Sequence, residues 1–309
     1  MSIPILIFGS TGQFGVELVK ALSPEHEFVA LTRQQADLAN EDAVRSSIRN
    51  AQPEIIINAA AYTAVDRAES EPELAHVLNA AAPGAMAEEA RRLDAWLIHI
   101  STDYVFDGSG KAAWREVDLP HPLNVYGQTK LEGELAVAAA GCRHLIFRTS
   151  WVYASHGSNF VRTMLRLSSQ RSTLNIVDDQ IGAPTSAIEL ARGLQHVLAR
   201  LRDPSLAPPD SGVYHMTCRG TTSWFGFAKE IFIMAPSHYA IPELVPITSD
   251  RYLAQAKRPH NSALSCDKLE RTFGITLALW QDALAEVMLE IASQPESSEP
   301  KPPGSGFQS

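Results

Sequence analysis

Cysteine is scarce in this chain of 309 residues: Cys142, Cys218 and Cys266 stand far apart and form no C-x-x-C pair. That excludes a disulfide framework and a thiolate metal cluster, and it reads as three reduced, buried thiols in a cytosolic protein. Basic charge is also lacking. With 26 Lys+Arg against 35 Asp+Glu the formal net charge is −9, which argues against a broad nucleic-acid or anionic-membrane surface. A small basic pocket for a phosphorylated ligand stays open. No run approaches the roughly 18 apolar residues of a membrane span. The opening Met1-Ser-Ile-Pro-Ile-Leu-Ile-Phe-Gly9 has neither the basic start nor the length of a signal peptide, so the expected location is the cytoplasm. The histidines show no H-E-x-x-H or other metal-ligand spacing, and His99, His121, His144, His156 and His260 read as satisfied core or surface side chains. There are no internal repeats.

What is present is an ordinary apolar fraction, 45%, enough for a sizeable core, and a length that fits about two domains or one large α/β unit. Strand and helix patterns alternate over the first 150 residues. Ile3–Phe8 is a nearly all-apolar run ending in glycine, as a parallel strand buried on both faces requires. Helix (Gln13–Leu22), strand (Phe28–Leu31), helix (Glu41–Ala51) and strand (Glu54–Asn58) follow, then a long helix from Pro72 to Leu93. Strands at Trp96–Ser101 and Leu145–Thr149 complete the series. This rhythm predicts a Rossmann-like, doubly wound parallel sheet over residues 1–150. After Ser150 the rhythm breaks into short helices and isolated strands such as Val213–Met216, read as a smaller mixed α/β lobe over 151–293, with 174–202 crossing back to the sheet. Residues 294–309 are too poor in apolar groups to fold and are expected to be disordered.

Two local patterns carry chemistry. Gly9-Ser-Thr11-Gly12-Gln13-Phe14-Gly15 lies between a strand and a helix, where glycines permit a tight turn and let backbone N–H groups approach a pyrophosphate at the helix N-terminus. At the end of the second strand, where an acidic residue would bind the ribose 2′-hydroxyl of NAD, stands Arg33. It either receives a 2′-phosphate through its planar fork, favouring NADPH over NADH, or is a solvated surface side chain. Asp37 and Leu38 follow, placed to meet the adenine, and the small Ala59, Ala60 and Ala61 leave room for a cofactor. The second pattern is Tyr126 and Lys130, at i and i+4 on one helical face. An ammonium held near the phenol would favour the phenolate, by about one to three pK units, and so make a proton donor usable near neutrality.

With these residues in view the chain resembles the extended short-chain dehydrogenase/reductases, and among them the dTDP-4-dehydrorhamnose reductases. The matching stretches are Phe8-Gly-Ser-Thr-Gly-Gln-Phe-Gly15, Asn58-Ala-Ala-Ala-Tyr-Thr-Ala-Val-Asp66, Ile100-Ser-Thr-Asp-Tyr-Val-Phe106, Pro122-Leu-Asn-Val-Tyr-Gly-Gln-Thr-Lys-Leu131, Phe147-Arg-Thr-Ser-Trp-Val-Tyr153, Asp179-Gln-Ile-Gly-Ala-Pro-Thr185 and Arg258-Pro-His-Asn-Ser262. They run in family order over nearly the whole chain except the tail.

The resemblance implies reduction of the C4 ketone of dTDP-4-dehydro-L-rhamnose by a nicotinamide hydride. Tyr126 would protonate the alkoxide, Lys130 would hold the nicotinamide ribose and lower the Tyr126 pKa, and Thr102 would hydrogen-bond the substrate carbonyl. Val65, Asp66, Asp103 and Tyr104 would line the sugar pocket. Trp151 would pack on the sugar unless it is an ordinary core aromatic. Arg258, with Asn159 and Gln180, would meet the nucleotide and its pyrophosphate. Some family members dimerise around Mg2+ held by acidic residues of two helices. Glu17 matches the first helix but Ile188-Glu-Leu-Ala-Arg192 departs from the second, which leaves a metal-bridged homodimer in doubt. Two other functions compete. One is a non-catalytic dinucleotide-binding regulatory subunit resembling the methionine adenosyltransferase beta subunit, disfavoured by retention of Thr102, Tyr126 and Lys130. The other is a dehydratase or epimerase, disfavoured because Thr102-Asp103-Tyr104 offers a single carboxylate.

Overall fold

The computed structural model describes residues 5–23 and 27–293; the tail expected to be disordered lies outside them. Five strands and their helices come first. β1 (Ile5–Phe8), α1 (Gln13–Leu22), β2 (Phe28–Leu31), α2 (Glu41–Ala51) and β3 (Ile55–Asn58) are followed by α3 (Val65–Ala68), α4 (Pro72–His76) and α5 (Ala82–Leu93), then β4 (Trp96–Thr102), α6 (Val125–Ala140) and β5 (Arg143–Thr149). The rest comprises β6 (Val152–Tyr153), α7 (Phe160–Ser168), β7 (Thr173–Val177), β8 (Ile181–Gly182), β9 (Thr185–Ser186), α8 (Ala187–Arg202), β10 (Gly212–His215), β11 (Thr222–Ser223), α9 (Trp224–Ile233), β12 (Glu243–Ile247), α10 (Asp267–Phe273) and α11 (Trp280–Ser293).

The central sheet has six strands in the order β10-β5-β4-β3-β1-β2, all parallel. β1 and β3 bury every residue, because helices cover both faces. One face packs with α2 and α5 through Val44, Ile48, Met86 and Ala90. The other packs with α1 and α8 in a larger core that continues without a break into Phe227, Leu277 and Trp280. The order reverses between β1 and β3. In parallel α/β sheets such a switch point opens a crevice at the strands' carboxyl ends.

Three sequence expectations need correction. Val213–Met216, read as an isolated strand of the smaller lobe, is β10, which pairs with β5 at the edge of the central sheet. The part of 174–202 that returns to the sheet is α8, against α1, whereas β7 pairs with β12 outside it. The long helix expected from Pro72 to Leu93 is also interrupted, by a π-turn over Val77–Ala81. That extra residue turns Asn79 inward. Its side chain accepts from the Tyr62 N–H at 2.8 Å, donates to the Tyr62 carbonyl at 3.1 Å and reaches Thr129 at 3.2 Å, pinning the segment after β3 to α6.

Candidate active site

At the switch point the glycines meet their steric requirement. Gly9 has φ +84°, and a Cβ there would lie 2.7 Å from Ala60. A Cβ on Gly15 would lie 2.1 Å from the Gly9 carbonyl. The loop therefore closes on itself and on the Asn58–Ala61 turn only without side chains. Gly12 differs: it is the N-cap of α1, no side chain caps it, and an added Cβ would find nothing nearer than Gly9 O at 3.5 Å. An uncapped helix start whose approach is open is a fit for an anionic pyrophosphate. Around it, Thr11 is exposed, Phe14 is buried, and Ala59, Ala60 and Ala61 are half-buried. The Gln13 amide bridges to the α7 start, accepting from Asn159 Nδ2 at 2.8 Å and donating to the Ser158 carbonyl at 3.3 Å.

Arg33 is exposed and ion-paired with Asp37 at 3.5 Å. Leu38, expected beside the adenine, is 7% exposed and packs in the core with Phe8 and Ala36.

The second cluster forms where β4 outruns β3. Their register ends at Asn58 and His99, while β4 continues beside β5 as far as Thr102 and Thr149. Asn124 caps α6, accepting from Gly127 N–H at 2.8 Å and donating to the Lys257 carbonyl at 2.7 Å. Gly127 lets the helix start press against the end of β4, since a Cβ there would stand 2.1 Å from the Tyr104 carbonyl. This approach sets the buried Tyr126 phenol beside the Thr102 hydroxyl. Thr102 also donates to Asp103 at 3.1 Å and accepts from Tyr104 N–H at 3.2 Å. Tyr104 and Tyr126 meet edge to face with centroids 5.5 Å apart.

Lys130 lies one turn further along, wholly buried, donating to the Ile100 carbonyl at 2.6 Å and facing His99 Nε2 at 3.2 Å. The expected lowering of the phenol by Lys130 is not what the structure shows. Burial drives the Tyr126 phenol well above its ordinary value, Asp103 and Tyr104 push the same way, and only the Thr102 hydroxyl opposes them. Burial lowers Lys130 to about 8, with Glu134 opposing. Asp103 is raised to about 6 by burial, with the hydroxyls of Ser262 and Thr102 opposing, and its Oδ2 is buried with no hydrogen-bond partner among the described residues.

The remaining site candidates split. Val65 and Asp66 open α3, and Asp66 Oδ2 accepts from Arg258 Nη2 at 2.7 Å while Oδ1 accepts from Ala256 N–H at 3.1 Å. The Arg258 charge acts on the Tyr104 phenol against burial, and its Nη1 is buried with no hydrogen-bond partner among the described residues. Asp66, expected to line the sugar pocket, and Arg258, expected at the pyrophosphate, thus form one clasp. Trp151 has φ +47°. It is stacked on Trp224 at 3.5 Å and 8°, so one of its faces already has an aromatic partner. Asn159 is the N-cap of α7, and Gln180 is buried.

Sequence reasoning passed over Asn58, His99 and Glu134. The signal was there in part, since each is a polar residue set in an apolar strand or on a buried helix face. For the acidic residues weighed as metal ligands, Glu17 is buried and engaged by His156 at 2.6 Å and Lys20 at 2.9 Å, and Glu189 by Arg192 at 2.9 Å. Among the described residues no group of three or more His, Cys, Asp or Glu is arranged to hold a metal ion.

A parallel sheet with a glycine loop at its switch point, and a Thr–Tyr pair with a buried lysine at the end of β4, define an extended short-chain dehydrogenase/reductase. The profile of the RmlD substrate binding domain matches residues 3–293. dTDP-4-dehydrorhamnose reductase from Escherichia coli K12 is 44% identical over 295 residues, covering 93% of this chain and 97% of the relative. The enzyme of that name from Burkholderia thailandensis is 43% identical over 296 residues, covering 94% and 99%. The crystal structure of dTDP-4-dehydrorhamnose reductase from Bacillus anthracis in complex with NADP superposes with a TM-score of 0.86 at 34% identity, covering 94% of this chain and all of the other. The chain belongs to the dTDP-4-dehydrorhamnose reductase family.

Proposed function

We propose that the protein reduces the C4 ketone of dTDP-4-dehydro-L-rhamnose to dTDP-L-rhamnose, with NADPH as reductant and Tyr126 as proton donor. The observation that carries this reading is the buried Tyr126 phenol set beside Thr102 at the carboxyl end of the sheet, the end that also carries the glycine loop. NADPH, when bound, supplies the hydride. Every other task falls to the chain's own groups. The uncapped start of α1 takes the pyrophosphate, and Arg33 takes the 2′-phosphate by exchanging its exposed pairing with Asp37. Thr102 and Tyr126 orient the ketone oxygen by two hydrogen bonds. As charge develops on that oxygen, Tyr126 transfers its proton. Burial favours this role, because a phenol raised in pKa is fully protonated at neutral pH and waits as the acid. Lys130 holds the ribose hydroxyls and balances the phenolate formed. Tyr104, Asp103, Val65 and the Asp66–Arg258 clasp shape the sugar pocket, with Arg258 Nη1 left to meet a phosphate oxygen. Trp151, backed by Trp224, offers its remaining aromatic surface to the sugar.

The test is to incubate purified protein with NADPH and dTDP-4-dehydrorhamnose and follow the loss of nicotinamide absorbance. Turnover is expected; none above a protein-free control would overturn the assignment.

A further inference from the structure

The buried groups behind Lys130 form a chain of hydrogen bonds whose direction is set at one end. Ala60 N–H faces Asn58 Oδ1 at 3.1 Å. A backbone N–H only donates, so the amide oxygen must point there and the amide nitrogen must point away. That nitrogen stands 3.1 Å from His99 Nδ1. It too only donates, so Nδ1 carries the lone pair. His99 is 0% exposed, and burial keeps the ring neutral; its one N–H is therefore on Nε2. Nε2–H points at Lys130 Nζ, 3.2 Å away, and Nζ in turn donates to Ile100 O. An ammonium has no lone pair with which to accept from Nε2–H. The chain from Ala60 through Asn58 and His99 fits the neutral amine. To charge Lys130, the ring must move its proton to Nδ1, and Asn58 must then turn its oxygen to His99 and abandon Ala60. The titratable groups that act on the amine are His99 on β4 and Glu134 on its own helix, and Arg148 on β5 holds Glu134 at 2.6 Å.

We propose that His99 is a positioning residue for Lys130: clamped by Asn58, it aims the amine at the site and ties the amine's charge to the tautomer of the ring. Its consequence for catalysis rests on the assignment of Lys130 given above. Because Ala60 belongs to the turn against the glycine loop, the same chain couples the dinucleotide side of the cleft to the proton-transfer side.

Replacing Asn58 by aspartate tests this with almost no change in shape. Both carboxylate oxygens accept, so Asp at this position keeps Ala60 and requires His99 to carry its proton on Nδ1. Nε2 then accepts from Lys130 and favours the ammonium. In protein carrying 15N-histidine at pH 9, where wild-type Lys130 is mostly the neutral amine, wild-type His99 is expected as the Nε2–H tautomer and Asn58→Asp as Nδ1–H, with His99→Gln assigning the signals. In protein carrying 13Cε-lysine, the Lys130 titration is expected to move up by about one pH unit or more in Asn58→Asp. The same substitution made on a His99→Gln background is expected to move it much less, because no tautomer remains to transmit the change. An Nδ1–H tautomer in the wild type, or equal Lys130 shifts in both backgrounds, would overturn the proposal. Neither readout uses cofactor or ketosugar, so this proposal and the reductase assignment fail separately.

Discussion

At the scale of single residues, Tyr126 concentrates the chemistry. Tyr126→Phe keeps the ring packed against Tyr104 but removes the group assigned to deliver the proton. Since general acid catalysis contributes about 10²–10⁴-fold, turnover should fall by at least two decades while NADPH binds with near-normal affinity. Retention of a tenth of wild-type turnover would point to Tyr104 or a water on Thr102 as the donor. Arg33→Ala should weaken NADPH by roughly tenfold or more and leave NADH nearly unchanged, because only the former carries a phosphate for the guanidinium to bond. Equal losses for both cofactors in a binding titration would leave Arg33 a surface side chain.

Asp103 makes a different prediction. Its carboxyl is raised from 3.8 to about 6 by burial, so its contribution to stability is full below pH ~4 and lost as pH rises through about 6, at a cost of about 3 kcal/mol once it is ionised. Asp103→Asn does not titrate. It should melt higher than wild type at pH 8, and the gain should vanish by pH 4, read from Tm as a function of pH. A gain independent of pH would mean that the carboxylate is not the strained group.

Among the elements, α6 decides whether the site assembles, and its closeness to β4 depends on Gly127. Alanine there improves helix propensity by about 1 kcal/mol, yet its Cβ would sit 2.1 Å from a backbone oxygen, so the helix start must move away. Gly127→Ala should stay folded and lose more than tenfold in kcat as Tyr126 leaves Thr102. Gly141→Ala, at φ +70° in open space, should lose roughly 1 kcal/mol or more to strain in thermal unfolding and keep kcat. If the two variants behave alike, the close approach is not what builds the site. Elements were the most legible level of this sequence, because strand and helix periodicities are local. The glycine loop and the Tyr126–Lys130 spacing were legible for the same reason. What was not legible depends on register or distance. His99 meets Lys130 across 31 residues, and Asp66 meets Arg258 across 192. The π-turn that directs Asn79 leaves no pattern in a helical periodicity. The four-residue β10 gives no local sign that its partner is β5.

In the whole molecule, the two faces of the sheet are closed by separate cores, and two histidines are sealed between sheet and helices with little means of holding charge. His99 is depressed well below its ordinary value. His215 is lowered to about 3, by burial first and by Arg148 next, and its Nε2 is buried without a partner. Groups lowered on folding contribute stability that is present above the unfolded value near 6.5 and lost as pH falls through it. Each removes about 1.4 kcal/mol per pH unit, hence roughly 3 for the pair. Asp103 opposes with about half that between pH 6 and 4, so the balance still falls. Against a typical stability of about 5–15 kcal/mol, unfolding should set in within a few pH units below 6.5. His215→Gln separates this account from general acid expansion. The amide can donate to the Trp114 and Ser265 carbonyls that His215 Nδ1 now faces at 3.1 and 3.2 Å, and it takes up no proton. Its Tm should match wild type near pH 7.5 and fall less steeply between pH 6 and 4, with an acid midpoint displaced downward. Parallel curves would mean that His215 is protonated where it stands and that the acid lability arises elsewhere.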